Sequence, residues 1–234
     1  SDDKDLPETK QVVSFSTTIS SNTRAANDAW TTGDKVGVYM IPEGGTLATA
    51  LASNKKYTAS ATGELTYDSE DQAIYFPVDG SKVNFVTYYP YTATVSNNQI
   101  AVDVTNQTSQ EAIDLLYSST TTGFNNASGK VNLNFTHQLT RMVLNITKAS
   151  NVTLTNFSVK LVGTETKAAF DLATGTLTTT AGNVDSIAYK LTDKGNNQYQ
   201  AEAIVLPNSK LPDDAAIEFT IGTQTFKTSL AAAS

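Results

Sequence analysis

Between residues 131 and 147 the chain reads VNLNFTHQLTRMVLNIT, and its apolar positions change parity part-way along. Val131, Leu133, Phe135 and Leu139 fall on odd numbers, with Asn132, Asn134, Thr136 and Gln138 between them. That is the period-two pattern of a strand buried on one face. Beyond Arg141 the apolar residues Met142, Leu144 and Ile146 fall on even numbers instead. Successive strand side chains point to opposite faces, so a parity change requires a bulge or passage from one sheet into another. The pattern predicts a hinge between two β domains: a polar tail over residues 1–11, a first β-sandwich over 12–138 and a second over 139–234.

The same alternation recurs on both sides of the hinge. Val13, Phe15, Thr17 and Ile19 share one face of VVSFSTTIS, and Val36, Val38 and Met40 share one face of DKVGVYMI. Val83, Phe85, Thr87 and Tyr89 do so before Pro90 removes a ladder donor, as do Ile100, Val102 and Val104. Past the hinge the inward sets are Phe157, Val159 and Leu161, then Ala168, Phe170 and Leu172. AIYFPV reads as a strand joined to KVNFVTYYPY by an Asp79-Gly80 hairpin turn. Residues 46–57 read as a short helix or as an irregular excursion. Thr108 and Glu111 have the spacing of a capping box, which predicts a short helix over QEAIDLL. Strands at such close intervals with turn signals between them predict an all-β sandwich architecture rather than βαβ units.

Composition narrows the function. Net charge is −7, without a run of Lys and Arg interleaved with aromatics, so the basic surface a nucleic acid needs is lacking. Cysteine is absent, which excludes disulfides, thiolate metal sites and cysteine nucleophiles. His137 is the only histidine, so a histidine metal cluster is excluded, and no G-x-S-x-G elbow accompanies it. It reads as a structural residue at the domain junction, with a serine triad as the rival. The acidic pairs Asp2-Asp3, Glu70-Asp71 and Asp213-Asp214 lack calcium-loop spacing and read as solvated turns. No cofactor and no catalysis are expected. The opening SDDKDLPETK is polar and charged, as expected of a disordered, processed N-terminus, and the Thr, Ser and Asn content suits a β-rich secreted protein.

Two sets of residues are candidates for function. Arg24, followed by Ala25, sits in a polar loop after the first strand. It reads either as a solvated cation or as the point where a trypsin-like cut would free VVSFSTTIS and uncover an apolar groove flanked by unpaired backbone groups. Trp30, Tyr88, Tyr89 and Tyr91 read either as core and rim aromatics or as a stacking platform for a glycan. The Asn-x-Ser/Thr triplets, among them that at Asn145, are expected by chance in a chain so rich in Asn and Thr.

Four segments in order, TRAANDAWTTGDKVGVYM, FPVDGSKVNFVTYYPY, NFTHQLTRMVLNIT and AAFDLATGTLT, resemble the fimbrillin family of type V pilus subunits and anchors of Gram-negative anaerobes. The resemblance extends over residues 12–230. It implies two transthyretin-like β-sandwich domains in tandem, and export as a lipoprotein held in the outer membrane by a lipid on a Cys upstream of SDDKD. It further implies cleavage at Arg24 and Ala25 by a trypsin-like protease, with loss of the strand carrying Val13, Phe15, Thr17 and Ile19. Partners are then other fimbrial subunits by strand donation, together with a host or bacterial surface receptor. A surface carbohydrate-binding module that does not polymerise is the alternative.

Overall fold

The computed structural model describes residues 9–20, 28–207 and 212–230. Arg24 and Ala25 therefore lie outside the described residues. Seventeen strands are found among the described ones, with three single turns of 3-10 helix. The protein is all-β.

Seven strands close into a barrel in the order β1 (Phe15–Ile19), β4 (Glu64–Tyr67), β3 (Ala52–Ala59), β2 (Asp34–Pro42), β5 (Val83–Tyr89), β7 (Leu116–Ser119) and β8 (Val131–His137). Its interior holds Val13, Phe15, Trp30, Val36, Val38, Tyr57, Phe85, Val131, Leu133 and Phe135. Apart from Val13 before β1, Trp30 in the connector and Tyr57 on β3, these are alternate apolar positions of β1, β2, β5 and β8, so period-two patterning fixes which face turns inward.

The chain leaves the barrel after His137 and enters a different sheet at Thr140, one of the two outcomes that the parity change allows. There β9 (Thr140–Thr147) pairs with β15 (Gln198–Val205), which also pairs with β14 (Lys190–Gly195). A second sheet runs β13 (Val184–Ala188), β10 (Ser158–Glu165), β16 (Ala216–Ile221), β17 (Gln224–Ser229). A third joins β12 (Thr176–Thr179) and β11 (Lys167–Asp171) to β6 (Gln99–Asp103). Thus β6, from the first half of the chain, completes a sheet of the second half.

A second core fills the space between these sheets, with Leu161, Phe170, Leu172, Ile187, Ala201 and Ile204 at its centre. The two cores share a wall. On β5, Val83, Phe85 and Tyr89 face the barrel while Val86 and Tyr88 face the second core, and every residue of the strand is buried. Leu115 and Leu116 divide in the same way.

Three local expectations are corrected. QEAIDLL is not an α-helix: Glu111–Ile113 makes one 3-10 turn whose N-cap position is Gln110, without a side-chain cap. The Thr108 N–H is taken by the Asn106 side chain, and the chain must extend again at Asp114 to bury Leu115 and Leu116 on opposite sides. Residues 46–57 hold one 3-10 turn, Leu47–Thr49, and then pass directly into β3. AIYFPV forms no strand and touches the ladder only through a Val12–Tyr75 bridge, so the Asp79-Gly80 turn closes no hairpin.

Candidate functional site: the first strand and its slot

The first strand is the staple that closes the barrel. On one side β1 runs parallel to β8, Phe15 opposite Val131 through Ile19 opposite Phe135. On the other it meets β4 antiparallel at only two positions, Phe15 opposite Leu65 and Ser16 opposite Glu64. Parallel neighbours from a first and an eighth strand cannot come from a hairpin, because parallel strands need a long connection. Without β1, the barrel would open between β4 and β8.

Alternation gives the strand two different faces. Inward, Phe15 meets the Tyr57 and Phe85 rings edge-on at 5.5 and 5.1 Å between centroids. Val13 is buried one register earlier, its N–H donating to Ile74 O at 2.8 Å. Outward, Ser16 Oγ donates to Asn132 Oδ1, and Thr18 Oγ1 and Ser20 Oγ both donate to Asn134 Oδ1, at 3.3, 3.1 and 2.9 Å. The outer seam is thus a polar ladder open to water, and the inner one a dry aromatic contact.

Thr17 links the strand to two loops. The Trp30 indole N–H donates to Thr17 Oγ1 at 2.7 Å, and the Thr17 hydroxyl donates to Gly63 O at 2.8 Å. Gly63 has φ +89°, and a Cβ there would lie 2.7 Å from Thr17 O, so the approach of the β3–β4 turn to β1 depends on glycine. Trp30 is itself wedged edge-on against Phe135 and Tyr89 at 5.1 and 5.6 Å.

At the end of β8 lies His137, its side chain only 3% exposed. Nδ1 is 3.1 Å from the buried Asp114 carboxylate, and Nε2 faces Asp28 at 3.5 Å. Burial alone would lower the His137 pKa, but the two carboxylates outweigh it and hold the value above 6.5. Asp34 nearby is raised above 3.8, by burial first and then by the charge of Glu111.

The sequence candidates separate clearly. Val13, Phe15, Thr17 and Ile19 are brought together on the inner side of the staple. Trp30, Tyr88 and Tyr89 are 7%, 0% and 7% exposed, so they offer no free ring face to a sugar. Burial raises the pKa of the Tyr88 and Tyr89 phenols, keeping both neutral. Tyr91 alone is nearer the surface, and Lys56 Nζ sits 5.2 Å from its ring centroid. The Thr17–Trp30–Gly63 connection was not evident from sequence; the isolated Trp30 and the glycine of TGEL were its only signals.

Fold and site define an all-β protein whose barrel is closed by its separately anchored first described strand. The chain belongs to the fimbrillin-like family, whose sequence profile matches residues 23–234. It is 34% identical over 211 residues to the candidate fimbrium subunit Fim1C of Bacteroides uniformis, an alignment covering 87% of this chain and 67% of that one. The crystal structure of a candidate cell adhesion protein from the same species superposes with a TM-score of 0.76 at 31% identity, covering 97% of this chain and 86% of that one. A second candidate adhesion protein, from Bacteroides ovatus, shares the fold with a TM-score of 0.75 at 19% identity, over 94% and 86% of the two chains.

Proposed function

We propose that this protein is a fimbrial subunit of the cell surface that acts by assembly and adhesion, through exchange of its first strand. Family membership supports the fimbrial role, and Fim1C is named for the same role in its own organism. In this reading the two halves of the chain, 12–138 and 139–234, are tandem transthyretin-like sandwiches, with β6 lent by the first to the second. The protein travels to the outer membrane as a lipoprotein. A trypsin-like protease cuts between Arg24 and Ala25, the strand bearing Val13, Phe15, Thr17 and Ile19 departs, and a neighbouring subunit donates its replacement. The assembled fibre then engages a surface receptor.

The observation that carries this reading is the asymmetry of the staple's seams. With only two residues paired to β4, the strand can peel from that side first, while the β8 edge retains a row of backbone groups ready to pair with an incoming strand. Each ladder bond re-formed contributes about 1 kcal/mol, and re-burying apolar surface about 25 cal/mol per Å². The β8 ladder and the apolar contacts must break together before the joint opens, so the fibre is kinetically stable. Trypsin-like cleavage after Arg24 is expected to convert monomers into polymers on a sizing column. Cleaved protein that stays monomeric, together with normal fibres on cells carrying Arg24→Ala, would overturn the exchange mechanism.

A further inference from the structure

We propose that His137 is a proton-operated latch on the first strand: as an imidazolium it clamps Asp28 and so holds β1 in place, and as a neutral ring it lets Asp28 go. The regulation rests on the strand-exchange reading above, whereas the latch itself does not.

The geometry is that of a ring asked to satisfy two carboxylates. Asp114 faces Nδ1 at 3.1 Å and Asp28 faces Nε2 at 3.5 Å. A neutral imidazole has one N–H and one lone pair, so only the protonated ring can donate to both. Nε2 makes no hydrogen bond among the described residues, although it is shut away from water. The two carboxylates are not equivalent. The Asp114 side chain is 7% exposed and would be stranded without its partner, whereas that of Asp28 is 52% exposed and can turn into solvent. On loss of the proton the remaining N–H therefore stays with Asp114. A lone pair is left against the Asp28 carboxylate, and Asp28 is the contact that opens.

A physical path joins this contact to β1. Asp28 stands two residues before Trp30, whose indole donates to Thr17 at the middle of the strand. Trp30 in turn packs on Phe135, two residues before His137 on β8. The latch thus fixes the connector at one end and the indole transmits the hold to the strand. Around the ring the ionisable groups are Asp114 from the turn before β7 and Asp28 from the connector, with Asp34, Glu111 and the Tyr89 phenol behind them. All are acidic, which favours the charged ring. Because the folded value lies above 6.5, the clamp is complete below pH 6.5 and is lost as the pH rises through the raised value.

The sole tryptophan makes the test direct. Emission of Trp30 and hydrogen exchange of the β1 amides, corrected for intrinsic rates, are followed from about pH 6 to about pH 9 in the intact chain, in Asp28→Asn and in His137→Gln. In the wild type, Trp30 emission is expected to move to the red and β1 opening to rise about two- to fivefold as the ring deprotonates. Asp28→Asn, a change at an exposed side chain, should abolish both transitions while leaving the fold intact. It also separates the latch from the other acidic groups around the ring. A wild-type transition unchanged in Asp28→Asn, or none in the wild type, overturns the latch. If both transitions follow expectation and protein cut after Arg24 still fails to assemble, the latch stands and the exchange mechanism falls.

Discussion

The first strand should be held chiefly by one ring. Replacing Phe15 by Ala removes a side chain that is 1% exposed and wedged edge-on between Tyr57 and Phe85. A buried Phe→Ala change costs about 3–5 kcal/mol when the walls cannot collapse. Here they cannot move far, since Tyr57 Oη is tied to the Ile74 N–H at 2.9 Å and Phe85 sits on a strand buried on both faces. In a chain of this size each kcal/mol lowers Tm by about 2–4 °C, so a fall of roughly 6–20 °C is expected by circular dichroism. After cleavage at Arg24, the rate at which the fragment bearing Phe15 leaves should rise by about two to three and a half orders of magnitude, since 1.4 kcal/mol is tenfold. Thr18→Ala is the control. Among the described residues its hydroxyl reaches only Asn134 on the wet face, at 3.1 Å, and its loss should cost under about 1 kcal/mol. Equal effects of the two substitutions would refute the claim that the dry face retains the strand.

Other outcomes follow from the same contacts. Gly63→Ala, which forces a Cβ to within 2.7 Å of Thr17 O at φ +89°, should destabilise by more than about 1 kcal/mol and raise amide exchange in β1 selectively. Gln107 acts as a stand-in for strand β14 beyond its end: its amide accepts from Ile204 N at 2.9 Å and donates to Ile204 O and Val104 O, both at 2.7 Å. Gln107→Leu leaves these buried groups unpaired, so urea unfolding should show a loss of about 2–4 kcal/mol, and a loss below about 0.5 kcal/mol would refute the role. Asp68 is desolvated, yet hydrogen bonds from Thr58 and Lys35 together with the charges of Lys35 and Lys56 hold its pKa below 3.8. Its contribution is therefore present above pH 3.8 and disappears as the pH falls through the lowered value, and Asp68→Asn should remove that part of the acid sensitivity of Tm.

Much of this architecture was legible because burial imposes alternation. The inward set of β1 follows from parity alone, and parity also marks the place after His137 where the chain must bulge or change sheets. Partnership was not legible. QIAVDV shows its period-two pattern plainly, but nothing in it says that Phe170 will lie opposite Ile100, because pairing across the chain is settled by tertiary packing. The aromatics left two readings open for a related reason. Tyr88 and Tyr89 are adjacent, so one of them should face solvent, and it would if β5 had one wet face. Instead each lies in a different core, with the hydroxyl of Tyr88 held by Asn54 at 2.6 Å and that of Tyr89 by Glu111 O at 3.0 Å. Thr108 and Glu111 misled by spacing alone, since a cap stabilises only a helix long enough to follow it.

The placement of β1 reconciles two demands that a strand at a free edge could not meet together. A monomer must not offer an unpaired apolar edge before assembly, because such an edge recruits any strand available. Under the proposed exchange, a subunit must nevertheless present such an edge once it is to be joined. Closing the barrel with a terminal strand meets the first demand, as every inward residue from Val13 to Thr17 is covered and β8 has its partner. Making the β4 seam two residues long meets the second, as the strand can be lifted without unzipping a full ladder on both sides. Pinning its centre through Thr17 to Trp30 and Gly63 then sets how readily it lifts. In the proposed exchange, specificity would come from the slot's aromatic floor of Tyr57, Phe85 and Phe135, since the backbone groups of β8 would accept any strand. A donor with an aromatic or large aliphatic residue where Phe15 sits should seat firmly, and one with alanine there should not.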